Sequence, residues 1–90
     1  MNKIIIDMFN QNWTGEYTLS SIENMRKQLY KNLKDQLNGY WSGSSAYSIM
    51  VYGGFLVNSK RGTKKELTEL GKMFIKDFEE NLNDIKPTKD

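Results

Sequence analysis

The chain has 90 residues, with 13 Lys plus Arg against 11 Asp plus Glu for a net charge of +2, and it contains no Cys and no His. That composition excludes a disulfide framework, thiolate chemistry and a histidine proton shuttle, and a total so near neutral is not that of a general DNA coat. A chain this short makes one domain and buries only about 60% of its unfolded surface, so association with further copies is an expected source of stability.

In chain order, the first apolar run is Ile4, Ile5 and Ile6, interrupted by Asp7. It is far too short to span a membrane and lacks a small-residue cleavage site, which suits a soluble cytoplasmic protein. Lys3 to Asp7 reads as a strand, Thr14 and Gly15 as a turn, and Glu16 to Leu19 as a brief extended link. From residue 20 to 38 the spacing of Ile22, Met25, Leu29, Leu33 and Leu37 predicts an amphipathic helix, with Ser20 and Glu23 as a capping box and Gly39 supplying the left-handed residue at its end. Residues 46–52 and 55–59, divided by Gly53 and Gly54, predict a β-hairpin. Its register puts Met50, Tyr52, Phe55 and Val57 on one face and Tyr47, Ile49, Val51 and Leu56 on the other. Both faces are apolar, so one of them is a candidate homo-oligomer interface. A second helix is predicted over residues 63–86, capped by Thr63 with Glu66 reaching back, carrying a stripe of Leu67, Leu70, Phe74, Phe78, Leu82 and Ile85 and closed by Pro87 before a tail over 87–90. The expected fold class is therefore α+β, one domain with a central β-hairpin, an N-terminal segment available as a third strand, and two flanking amphipathic helices.

Charge is unevenly spread. Lys60, Arg61, Lys64 and Lys65 fall within six residues without an acid, whereas Asp77, Glu79, Glu80 and Asp84 cluster near the other end of the second predicted helix. Cations at a helix N-terminus oppose the helix dipole, an arrangement poor for stability and good for binding an anion, which backbone N–H groups also reach. Gly62 would allow close approach and Thr63 stands at the predicted cap. The loop Tyr40, Trp41, Ser42, Gly43, Ser44 and Ser45 adds rings that stack on a base and hydroxyls that hold phosphate or sugar oxygens. It matches neither a P-loop nor a dinucleotide fingerprint. If the hairpin closes, Ser44 and Ser45 lie near Lys60 and Arg61. The structural alternatives are a solvated basic turn, a Trp41 that plugs the core, and a solvated face for Arg26, Lys27, Lys31 and Lys34 on the first helix. No nucleophile, acid–base pair or metal-ligand spacing stands out, so no enzyme, metal or cofactor is expected.

The run YWSGSSAYSIMVYGGFLVNSKRGTKKELTELGKMF resembles a pattern in small, mostly uncharacterised accessory proteins of phages and prophages of Gram-positive bacteria. They show a similar Trp-Ser-Gly loop, Ala-Tyr segment, Gly-Phe-Leu turn and basic segment before a Leu-rich helix. The resemblance implies a phage setting in a host cell and action by binding, either sequestering a small anionic signal in counter-defence or blocking a host or defence enzyme. The expected function is non-enzymatic capture of a signalling nucleotide or nucleic acid, with a protein inhibitor or adaptor as the alternative.

Overall fold

The computed structural model describes residues 1–13, 15–59 and 64–85. Four α-helices take up most of them: α1 (Asn2–Asn12), α2 (Ile22–Leu37), α3 (Ser44–Tyr52) and α4 (Glu69–Ile85), with a 3-10 turn at Leu19–Ser21 leading into α2. Among the described residues β pairing is confined to one antiparallel bridge, Leu56 with Leu67. The fold is all-α, and the expected α+β class with its central hairpin is wrong.

The N-terminal isoleucines are helical because the pattern continues past Asp7. Ile5 and Phe9, four apart, are both buried, and the Lys3–Asp7 ion pair at 3.1 Å spans the same interval on the outer face. Three isoleucines alone carry no period; Phe9, three residues further on, decides it.

Residues 44–52 form a helix for a related reason. Ala46, Ile49, Met50 and Gly53 follow helical spacing and are the buried face, while Tyr52, assigned to the same hairpin face as Phe55, is 75% exposed and Phe55 fully buried. Gly54, at φ +86°, supplies the positive φ that the sequence promised, but for a helix end. Its N–H reaches the Val51 carbonyl at 3.0 Å and the Phe55 N–H reaches that of Met50 at 2.8 Å, the paired bonds of a Schellman cap. Gly39 closes α2 in the same way, with Tyr40 N–H on the Asp35 carbonyl at 2.8 Å.

The chain pairs with itself one element later. Val57 N–H bonds the Glu66 carbonyl at 2.8 Å and Thr68 N–H bonds the Phe55 carbonyl at 3.1 Å, so the antiparallel pairing that is present joins residues 55–57 to residues 66–68. α4 consequently starts at Glu69, with residues 64–66 outside any helix. Thr68 is its cap: the Thr68 hydroxyl accepts the Gly71 N–H at 3.0 Å and donates to the Gly54 carbonyl. The Thr63 cap expected from sequence lies outside the described residues, as do Pro87 and the tail.

α2 runs through the middle, packing against α1, α3 and α4, while α1 also packs on α3. The core joins Ile5 and Phe9, Met25, Leu29 and Leu33, Ala46, Ile49 and Met50, Phe55 and Leu56, and Phe74. Ile49, Met50, Phe55 and Leu56, drawn from both faces of the expected hairpin, thus belong to the chain's own core, and the oligomer interface argued from those faces loses its basis.

Candidate ligand site beside the start of α3

The Schellman cap of α2 turns the chain outward at Tyr40, and Gly43, at φ +99°, is the N-cap of α3. Tyr40 and Trp41 are exposed, at 67% and 47%. The Trp41 ring lies 5.3 Å from that of Tyr47, tilted by 39°. The Tyr47 hydroxyl in turn accepts the Ser59 N–H at 3.2 Å and lies within donating distance of Asn58 Oδ1 (3.0 Å) and the Ser59 carbonyl (3.2 Å). Lys65 completes the group. Its Nζ donates to the Ser59 carbonyl at 3.3 Å and to Ser59 Oγ at 3.2 Å, and it stands 5.2 Å from the centre of the Tyr47 ring.

Of the residues singled out from sequence, Trp41 and Lys65 are therefore brought onto one tyrosine. Ser44 and Ser45 open α3 shortly after Trp41 in the chain, in a first turn without an acid, and their amides are among those that a helix leaves without an intrahelical acceptor. Ser42 is half-buried, and its Oγ is enclosed without a hydrogen-bond partner among the described residues. Lys64 is exposed and not helical. Lys60, Arg61, Gly62 and Thr63 lie outside the described residues.

One part of the electrostatic argument is corrected. Lys64 and Lys65 precede the Thr68 cap, so neither stands in the first turn of α4, which instead carries Glu69, a sign that favours the helix by roughly 0.3–1 kcal/mol. Nor do all the cations of α2 form a free stripe: Arg26 pairs with Asp77 at 2.8 Å, Lys31 with Asp35 at 2.9 Å, and Lys34 with Glu79 at 3.7 Å. The acidic end of α4 thus meets the basic face of α2 and fastens the two helices together.

Sequence reasoning missed Tyr47, Asn58 and Ser59. Read at helical spacing, Tyr47 sits beside the buried face set by Ala46, Ile49 and Met50, which was the available signal. No helix among the described residues is long and apolar enough to cross a membrane. Comparison with protein-family models, curated proteins and solved structures finds no match to this chain.

Proposed function

We propose that this is a non-enzymatic binding protein of the phage-accessory type, acting in the host cytoplasm, that captures a phosphate-bearing ligand such as a signalling nucleotide or a nucleic-acid end. The observation that carries this reading is the meeting of a half-exposed indole and an ammonium on Tyr47, with Trp41 at 5.3 Å from that ring and Lys65 at 5.2 Å. Trp41 would stack on a base, a contact worth about 1–3 kcal/mol. Lys65, held at Ser59, would face phosphate together with Lys64, and the amides of Ser44 and Ser45 would add hydrogen bonds. The acids of α4 would repel an extended duplex, so the near-neutral charge favours a small nucleotide. Sequestration of such a signal is a counter-defence role.

The test is a thermal-shift panel of cyclic and linear nucleotides, each against its nucleoside. A nucleotide at ten times its Kd stabilises the native state by about 1.4 kcal/mol, a Tm rise on the order of 6–11 °C for a chain of this size. Lys65→Ala and Trp41→Ala should each remove most of the phosphate-dependent rise while circular dichroism stays unchanged. If no nucleotide shifts Tm, the reading fails. The second reading, a protein inhibitor or adaptor, is favoured by the 67% exposure of Tyr40. Under it the Tyr40→Ala, Trp41→Ala double variant loses a stoichiometric host partner and nucleotides shift Tm no more than their nucleosides do.

A further inference from the structure

A separate, open depression of about 650 Å³ lies between the end of α1 and the start of α2. Its size falls in the range of small-molecule sites, and so does its make-up, an aromatic lining with a few placed polar groups. Phe9 and Met25 supply its buried apolar part, Trp13 and Tyr17 its half-buried rings, and Asn24 and Gln28 its polar side. The rings are fixed in relation to one another, with Trp13 and Tyr17 meeting Phe9 at 4.9 and 5.4 Å with interplanar angles of 63° and 69°.

The loop that carries Tyr17 is clamped. Asn10 donates from Nδ2 to the Tyr17 carbonyl at 3.0 Å and accepts the Tyr17 N–H on Oδ1 at 2.9 Å, so one side-chain amide copies a rung of a sheet ladder. On the polar side, Asn24 and Gln28 are four apart on α2 and share a face. Gln28 donates through Nε2 to Asn32 Oδ1 at 3.0 Å, which leaves its oxygen available as an acceptor. Among the described residues no charged side chain lines the depression.

Rings beside amides without a charge select a ligand with a flat, apolar body and a polar edge. A charged group would find no counter-charge here, and an aliphatic one would leave the amides desolvated and unpaired. We infer that this depression is a second ligand site, for an uncharged planar heterocycle with a donor–acceptor edge of the nucleobase kind, its ring against Trp13 and Tyr17 and its edge on Asn24 and Gln28. It is distinct from the site at Trp41. The 16-residue α2, about 24 Å long, has Asn24 and Gln28 in its first half, whereas Trp41 follows its far end.

The chain has two tryptophans, so Trp41→Leu leaves Trp13 as the only indole reporter and removes the stacking ring of the phosphate site in one step. Adenosine, titrated into this variant, should change Trp13 emission saturably, and adenosine monophosphate should bind within about twofold of it, because no cation awaits the phosphate. Asn24→Ala, at an exposed position, should weaken both about tenfold. The inference is overturned if a folded variant gives no saturable change up to the solubility of adenosine, if benzyl alcohol binds as tightly, if the monophosphate binds far more tightly, or if Asn24→Ala has no effect. Failure here leaves the phosphate site standing, since that site is read through Lys65 and requires phosphate.

Discussion

Tyr30 on α2 shows how single side chains hold α4 in place. Its hydroxyl donates to Glu79 Oε2 at 2.6 Å, its ring stacks on Phe78 at 4.4 Å, and the Lys34 ammonium approaches both the ring, at 5.9 Å, and Glu79, at 3.7 Å. The bond to Glu79, then burial, then the negative charge of Glu79 raise the Tyr30 pKa above its ordinary value near 10. Between the ordinary and the raised value the native chain holds a proton that the unfolded chain has lost, so stability falls as pH rises through that interval. The contribution is complete below about pH 10. Tyr30→Phe should therefore cost about 1 kcal/mol at pH 7 in urea melts, and its deficit relative to the wild type should shrink as the pH passes 10. A deficit that grows with pH contradicts the assignment.

At the scale of elements, the start of α4 depends on Gly71. A Cβ there would stand 2.0 Å from the Phe55 carbonyl oxygen, because the first turn of the helix lies directly on the backbone after α3. In an ordinary helix interior Gly→Ala is favourable by about 1 kcal/mol. Here Gly71→Ala should instead destabilise by about 3 kcal/mol or more, read as a fall in the urea midpoint at unchanged m-value. The sign of that one measurement separates close packing from a helix whose N-terminus is free.

Elements differed in how far the sequence revealed them. α2 and the body of α4 were legible because Met25, Leu29 and Leu33, and Phe74 with Phe78, alternate cleanly with polar residues at helical spacing. α1 and α3 were not. A run such as AYSIMVY supports a two-residue and a 3.6-residue period equally well, and Gly53-Gly54 satisfies a hairpin turn or a helix cap with the same positive φ. The candidate site was legible in part. Exposed aromatics and a basic segment marked Trp41 and Lys65, but their meeting place, Tyr47, depends on a helix at 44–52 and on the pairing of residues 55–57 with 66–68, both consequences of long-range packing.

Across the whole molecule, the opposed charges of the chain sort into two roles. The acids Asp77 and Glu79 are used internally against Arg26 and Lys34, while Lys65 and Trp41 both meet the ring of Tyr47. This second group is the phosphate site proposed above. The most direct test is amide NMR of labelled protein titrated with a nucleotide and, separately, with its nucleoside, subtracting one set of shifts from the other. The phosphate-dependent differences should be confined to residues 41–47, Ser59, Lys64 and Lys65, and should vanish in Lys65→Ala. Differences absent altogether, centred on α1, or unchanged in Lys65→Ala would contradict it.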